Sequence, residues 1–298
     1  MIKIEALSKS FEKESVLSEV KLNVRQGSIY GLLGSNGAGK TTLLKIIAGI
    51  IKADKGNVLI AGSEVFEQVS SKQRLIFIPD RSFFFQHYTI KQMADFYKEQ
   101  YPTFSERRFL ELKDVFNLDM KKKVHQFSKG MQRQVTLWLS LAAQPDVLIL
   151  DEPFDGLDAV VRKKIKNLIV SDVAEREMTV MISSHNLREV EDLCDAVGIL
   201  HKGEFVTQRD LDDLKSDVHK VQVAFRETKP QLFSDFTVLH KEKRGSVHLY
   251  IVKGNLMDIE SHLATNNPLL SDVLPLTLEE IFIYEMEGIG YAMEHILE

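Results

Sequence analysis

Alternating and continuous apolar segments predict the first elements of the chain. Residues 2–7 and 20–24 alternate between apolar and polar side chains, which is the pattern of half-buried strands. Residues 29–33 form a continuous apolar run typical of a buried strand, and a helix-compatible run follows at residues 42–48. The pattern therefore predicts an antiparallel sheet, followed by a buried strand that leads into a helix.

Similar patterns continue downstream and predict a mixed α/β domain. Further strands are predicted at residues 57–62, 75–78, 147–150 and 180–183, and helices at residues 90–99, 106–116 and 131–143. The helices interrupt the series of strands. We therefore expect residues 81–145 to form a helical subdomain inserted into an α/β core.

The last part of the chain predicts a separate small domain. Strands are predicted at residues 221–225 and 247–252, with a hairpin turn at 243–246, and helices at residues 256–263 and 278–286. No catalytic constellation occurs in this region. The expected organisation is an α/β domain at residues 1–210 and a C-terminal α+β domain at residues 211–298.

The turn between the strand at 29–33 and the following helix predicts a phosphate site. Its sequence, GSNGAGKT, fits the phosphate-loop pattern at every fixed position. The glycines allow successive backbone N–H groups to point inward, and the helix N-terminus adds partial positive charge. Lys40 would reach the β- and γ-phosphates, and the Thr41 hydroxyl would ligate Mg²⁺.

Three other positions carry candidate chemistry at strand ends. Asp151 and Glu152 follow a buried strand, where Asp151 could hold Mg²⁺ and Glu152 could activate a water, or both could simply begin a turn. His185 follows the strand at 180–183 and could contact the γ-phosphate, cap a helix or be exposed. Phe11 could stack on an adenine ring or pack at a strand end.

Charge and composition limit the remaining possibilities. The 298-residue chain has a net charge of −5, which provides no overall electrostatic footprint for nucleic acid. Its one cysteine, Cys194, excludes an intramolecular disulfide and fits a reduced cytosolic setting. No run reaches the roughly 18 apolar residues of a membrane span. We expect any role at the membrane to depend on a partner.

Five motifs in one order resemble the nucleotide-binding subunits of ATP-binding cassette (ABC) transporters, over about residues 1–210. The phosphate loop is the first. Phe127-Ser128-Lys129-Gly130-Met131 resembles the family signature LSGGQ and precedes the Walker B segment at 147–152. Asp155-Gly156-Leu157-Asp158 resembles the D-loop, and His185 resembles the switch histidine. The phosphate loop alone would indicate only a nucleotide hydrolase, so the signature is the discriminating motif.

The resemblance implies a phosphate-loop NTPase cassette that hydrolyses ATP with Mg²⁺. Its expected parts are a RecA-like core, an antiparallel β subdomain and an inserted helical subdomain. The implied catalytic residues are Glu152, His185 and Lys40, and the implied metal ligands are Thr41, Asp80 and Asp151. The implied nucleotide-binding residues are Phe11, Gly34, Ser35, Asn36, Gly37, Ala38, Gly39, Lys40, Thr41, Thr42, Ser128, Gly130 and Asp158.

The resemblance also implies partners and a location. ATP would lie between the phosphate loop of one cassette and the signature of a second, identical or different, cassette. A transmembrane permease would hold the chain at the inner face of the cell membrane, docking near residues 80–88, and nucleic acid is not an expected partner. FSKGM-type signatures indicate a bacterial exporter of the ABC-2 class. The C-terminal domain is expected to be regulatory or to contact the second cassette.

Departures from the family pattern leave two alternatives open. Asp80 stands where the family usually has glutamine, and the signature carries Lys129 and Met131 in place of glycine and glutamine. Asp80 slightly favours a nucleotide-binding regulator with weak hydrolysis, whereas Glu152 and His185 disfavour it. A soluble cassette ATPase of translation or DNA repair is the other alternative. The chain has neither the two cassettes nor the long coiled coil typical of those proteins.

Overall fold

The computed structural model describes residues 1–12, 14–226 and 232–288, which divide into two compact units. One unit comprises Met1–His185 and Leu193–Gln208. The other comprises Asn186–Asp192 and the residues from Arg209 onward. No sequence pattern predicted that the short segment Asn186–Asp192 would group with the C-terminal region.

The described residues form fourteen strands and ten α-helices. The strands are β1 (Ile2–Phe11), β2 (Glu14–Val24), β3 (Ile29–Leu33), β4 (Lys55–Ile60), β5 (Ser63–Glu64), β6 (Leu75–Ile78), β7 (Val147–Asp151), β8 (Thr179–Ser183), β9 (Ala196–His201), β10 (Glu204–Asp210), β11 (Val218–Ala224), β12 (Thr237–Arg244), β13 (Val247–Lys253) and β14 (Leu270–Leu274). The helices are α1 (Lys40–Ile47), α2 (Val69–Lys72), α3 (Ile90–Gln100), α4 (Glu106–Phe116), α5 (Lys129–Ala142), α6 (Ala159–Arg176), α7 (Leu187–Glu191), α8 (Leu211–Ser216), α9 (Leu256–Thr265) and α10 (Leu278–Gly288). None of these helices is long and apolar enough to cross a bilayer.

The antiparallel sheet expected at the start of the chain is present, in the order β2-β1-β4-β5. β1 and β2 pair with Ile2 opposite Val24, and Ile2, Ile4 and Leu7 of β1 are buried together with Val20, Leu22 and Val24 of β2. The prediction of a strand at residues 57–62 is wrong for its last two residues. β4 stops at Ile60 because Ala61 (φ 48°) and Gly62 (φ 79°) turn the chain into β5.

A six-stranded sheet in the order β10-β9-β3-β8-β7-β6 forms the centre of the first unit. The strands from β9 to β6 run parallel to one another. All five residues of β3, β7 and β8 are buried, as their continuous apolar runs predicted. Since parallel strands end at the same edge, the sheet brings the residues that follow β3, β6, β7 and β8 to one place.

The predicted helical subdomain contains α3, α4 and α5. α4 has the predicted bounds, while α5 begins two residues earlier than predicted, directly after its N-cap Ser128. Trp138 of α5 is fully buried, with its ring 4.8 Å from that of Phe109 and 5.9 Å from that of Phe116. Its indole N–H donates to the Phe109 carbonyl oxygen at 2.8 Å. These contacts fix α5 against α4.

The second unit contains an antiparallel sheet in the order β12-β13-β11-β14. The hairpin turn predicted at residues 243–246 is confirmed, with Gly245 (φ 64°) between β12 and β13. Val221, Tyr250, Val252 and Ile259 contribute to a core of its own. The sequence therefore predicted the α+β character of this region, although not β12 or β14 as separate strands.

Candidate functional site

The phosphate loop follows β3 and takes its form from positive backbone φ angles. Gly34 has φ 152°, and a Cβ there would lie 2.3 Å from the Leu200 carbonyl oxygen. Gly39, with φ 104°, is the N-cap of α1. The loop therefore requires glycine at both positions, as the motif predicted.

Lys40 is buried within this loop. Its Nζ donates to the carbonyl oxygens of Gly34 at 2.6 Å and Ser35 at 3.2 Å. Burial lowers the pKa of the Lys40 ammonium, and the nearby Glu152 and Asp151 carboxylates act in the opposite direction. The cation is thus held beside the loop that would receive phosphate oxygens.

The predicted Mg²⁺ ligands Thr41 and Asp151 come together although 110 residues separate them in the chain. The Thr41 hydroxyl donates to Asp151 Oδ2 at 2.9 Å, and the Ser183 hydroxyl donates to Oδ1 at 2.6 Å. Asp151 is only 3% exposed. A hydroxyl oxygen beside a carboxylate is the hard oxygen donor set that suits Mg²⁺. The residues present therefore fit the ion.

Glu152 follows Asp151 directly and contacts the predicted switch histidine. His185 Nδ1 lies 2.9 Å from Glu152 Oε2, and the His185 backbone N–H donates to the same oxygen at 3.3 Å. Burial raises the pKa of the Glu152 carboxyl group, while the charges of His185 and Lys40 oppose that change. Ligand atoms of Glu152, Asp155 and His185 all lie within 4.8 Å of one another. A proton acceptor and its polar neighbour thus meet at this edge of the sheet.

Asp80 follows β6 and pairs with a residue that sequence reasoning missed. Arg133 Nη2 lies 3.0 Å from Asp80 Oδ1 and also donates to the Asp80 carbonyl oxygen. Arg133 Nη1 donates to the Glu152 carbonyl oxygen. Arg133 is buried, and its position within a mainly apolar helix was the signal that could have identified it.

The signature residues lie at the start of α5. The Ser128 hydroxyl accepts from the Met131 N–H at 3.3 Å and caps the helix. A Cβ on Gly130 would lie 2.6 Å from the Gly156 carbonyl oxygen, so the signature packs closely against the D-loop of the same chain. Asp158 caps α6, where its Oδ1 accepts from the backbone N–H groups of Val160 and Val161.

The structure thus separates the predicted residues into two sets. Lys40, Thr41, Asp151, Glu152 and His185 are connected by hydrogen bonds and charge at the carboxyl edge of the parallel sheet. Among the hydrogen bonds found between described residues, none joins the signature side chains to the phosphate loop.

Two groups of aromatic side chains remain accessible. Phe11 lies at the end of β1, is 43% exposed and has Lys9 Nζ 5.2 Å from its ring centroid. Phe83, Phe85 and Tyr88 are exposed beyond β6, and the rings of Phe85 and Tyr88 are 5.1 Å apart. Phe11 is therefore available for stacking, and the second group offers an apolar surface next to Asp80.

Comparison with known proteins assigns this arrangement to a family. The family model of the ABC transporter matches residues 17–155. The chain is 35% identical over 288 residues to the ABC transporter ATP-binding protein YtrB of Bacillus subtilis (strain 168), covering 97% of this chain and 99% of YtrB. It is 32% identical over 291 residues to the bacitracin transport ATP-binding protein BcrA of Bacillus licheniformis, covering 94% of each protein.

A solved structure of the ATP-binding subunit of an ABC transporter has the same cassette fold. It superposes with a TM-score of 0.69 at 27% identity, covering 72% of this chain and 92% of that one. The chain has a C-terminal extension beyond the cassette. With the phosphate loop, the Thr41–Asp151 contact and similarity to YtrB over nearly both full lengths, the chain belongs to the ABC transporter ATP-binding proteins and is an ATPase subunit.

Proposed function

We propose that this ATPase powers a membrane exporter and works as one of a pair of cassettes. Similarity to BcrA, a bacitracin transport protein, supports a peptide or drug-like exported substrate. The FSKGM signature favours the same class of transporter. The chain would bind a transmembrane permease at the inner face of the cell membrane, and the exposed aromatic residues beyond β6 offer a surface for that contact.

The hydrogen bond between Thr41 and Asp151 is the observation that carries the ATPase part of the proposal. It aligns the phosphate-loop hydroxyl with the strand-end carboxylate, so that both oxygens can hold Mg²⁺. When bound, Mg²⁺ would neutralise charge on the β- and γ-phosphates. Lys40 would leave the loop carbonyls and contact the same phosphates. Asp80 is the third expected ligand, but its Oδ1 lies 3.0 Å from Arg133 Nη2, and this ion pair competes with a role in holding the metal.

Glu152 would accept the proton of the attacking water. Its Oε2 already lies within hydrogen-bonding distance of His185, which would hold the carboxylate and contact the γ-phosphate. A raised pKa makes the Glu152 carboxylate a better base than an exposed glutamate. The two residues thus supply the proton acceptor and its orientation.

A second cassette would complete the site. Ser128 and Gly130 of one chain would contact the γ-phosphate bound by the other, and Asp158 would lie at the same interface. The N-terminus of α5 would direct its partial positive charge at that phosphate. Phe11 would stack on the adenine of the nucleotide that its own phosphate loop holds.

A pair of variants tests this function. We expect Glu152→Gln to bind ATP normally, to slow hydrolysis by about 10²–10⁴-fold and to accumulate as an ATP-bound dimer in light scattering. Lys40→Ala should neither bind ATP tightly nor dimerise. Normal turnover by Glu152→Gln would contradict the assigned base, and ATP-independent dimerisation would contradict the coupling of nucleotide to pairing.

A regulatory cassette with weak hydrolysis is the second candidate, because Asp80 replaces the usual glutamine. ATPase measurements on the isolated chain, and then with its partner, separate the two functions. If the chain is the exporter ATPase, its specific activity (ATP hydrolysed per chain) should rise with chain concentration, because the active unit is a pair of cassettes. A regulator should stay inactive alone and change only the rate of its partner.

A further inference from the structure

Arg133 connects the signature helix to the ends of two neighbouring strands. It lies in α5, five residues after the cap Ser128, and its side chain is 8% exposed. Its guanidinium donates to the carbonyl oxygens of Asp80 and Glu152 and to the Asp80 carboxylate. A buried cation requires such partners, because desolvation without them is costly.

These contacts hold the backbone of Glu152 from one side. Its N–H group is held from the other side by the Ser183 carbonyl and hydroxyl oxygens, each at 3.2 Å. Between them Glu152 adopts φ 48°, a left-handed conformation that a non-glycine residue keeps only when its surroundings impose it. The direction of the Glu152 carboxylate therefore depends on the group that binds its carbonyl oxygen.

Asp80 provides the countercharge for Arg133. The Asp80 side chain is 56% exposed, so it could turn to solvent, yet its Oδ1 lies 3.0 Å from the guanidinium. The planar guanidinium of Arg133 thereby contacts the carbonyl oxygens of Asp80 and Glu152 at the same time. A lysine has a single ammonium group and cannot reproduce this fork.

We propose that Arg133 is a positioning residue for ATP hydrolysis, which sets the orientation of Glu152 within its own chain, and that Asp80 holds Arg133 in place. The inference rests on the proposed role of Glu152 as the base. Because α5 also carries Ser128 and Gly130, contact of the signature with the ATP of the neighbouring cassette is transmitted through Arg133 to the chain's own Glu152. Asp80 thus acts here as a structural anion, and the charge it adds beside the phosphates is balanced.

The chain offers a matched control in a second ion pair that links the helical subdomain to the core. Arg108 of α4 contacts Asp172 of α6 at 2.8 Å, and Asp172 is buried. Asp172 also contacts Arg176 of the same helix. Loss of this pair should lower stability as loss of a buried charge does, without changing the orientation of Glu152.

The test compares the full-length variants Arg133→Gln, Arg133→Lys, Asp80→Asn and Arg108→Gln. We expect Arg133→Gln to lower kcat about 10–100-fold, the usual effect of losing a supporting partner, with KM for ATP changed less than about threefold. Arg133→Lys should recover only a minor part of the rate. Arg108→Gln should lower the melting temperature but keep kcat within about twofold when it is assayed below that temperature.

A double-mutant cycle shows whether Asp80 acts through Arg133. The Asp80→Asn and Arg133→Gln double variant should be no slower than Arg133→Gln alone, because both changes remove the same Arg133–Asp80 contact. A kcat loss in the double variant equal to the product of the two single-variant losses would overturn the proposal. Equal kcat losses in Arg133→Gln and Arg108→Gln would overturn it as well. If Glu152→Gln hydrolyses ATP normally, the proposed role of Glu152 as the base fails first. Loss of rate in Glu152→Gln together with full rate in Arg133→Gln refutes only the positioning role.

Discussion

Two aspartates at the carboxyl ends of neighbouring strands of the same sheet have different partners. Asp151 ends β7, is 3% exposed and accepts hydrogen bonds from the hydroxyl groups of Thr41 and Ser183. Asp80 follows β6, which pairs with β7, and its side chain is 56% exposed beside the Arg133 guanidinium. The buried Asp151 carboxylate therefore accepts hydrogen bonds from two neutral hydroxyl groups, whereas the more exposed Asp80 carboxylate contacts a positively charged guanidinium.

The partners determine which carboxylate can attract a cation. The hydroxyl groups of Thr41 and Ser183 orient Asp151 without forming an ion pair with it, so its carboxylate oxygens can act as Mg²⁺ ligands. The guanidinium balances the charge of Asp80, which favours a structural role at the strand end. Their positions in the sheet alone would predict the same role for both aspartates. The difference arises from side chains distant in the sequence, which are Thr41 and Ser183 for Asp151 and Arg133 for Asp80.

The largest expected effect follows from changing Asp151. Asp151→Asn should lower Mg²⁺-dependent ATP hydrolysis by about 10³-fold or more, because metal stabilisation of the transition state contributes several kcal/mol. Steady-state ATPase rates check this value. Asp80→Asn is the matched control, and its rate of ATP hydrolysis should fall far less than that of Asp151→Asn. Equal losses in both variants would remove the distinction between the two aspartates.

The smallest expected effect concerns the opposite ends of the same two strands. Arg74 and Asp146 directly precede β6 and β7 and form an ion pair at 2.5 Å, with 46% and 41% of their side chains exposed. An exposed pair contributes about 0–1 kcal/mol, so Arg74→Gln should change the free energy of unfolding by at most that amount. Its kcat should stay within about 1.5-fold of wild type. A larger loss of rate would mean that any ion pair on these strands affects catalysis.

Local patterns were sufficient to predict much of the cassette. β3 and β6 were predicted with the observed bounds because each is a short apolar run between turns. The phosphate loop was identified because its conformation depends on glycines within one short segment. The meeting of Thr41 and Asp151 was expected because the phosphate loop carries the chain from the carboxyl end of β3 to Thr41, and Asp151 ends β7 at the same edge of the sheet.

Other features depend on contacts that no local pattern contains. The helix α6 was not predicted, since only Ile165, Ile169 and Asp172 of its eighteen residues are buried and its apolar stripe is weak. The grouping of Asn186–Asp192 with the second unit depends on the fold of that unit. The contacts of Arg133 cross 53 residues to Asp80 and 19 residues to Glu152. Only the assembled sheet edge makes the role of such a residue visible.

Metal affinity provides the most direct test of the difference between the two aspartates. Mn²⁺ can replace Mg²⁺ in the ATP complex, and its binding can be followed by electron paramagnetic resonance in the full-length chain and in Asp151→Asn and Asp80→Asn. We predict that Asp151→Asn weakens Mn²⁺ binding by at least about tenfold, as expected for a lost ligand, and that Asp80→Asn changes it by less than about twofold. Weakening by Asp80→Asn equal to that of Asp151→Asn would contradict this assignment and would make Asp80 a metal ligand.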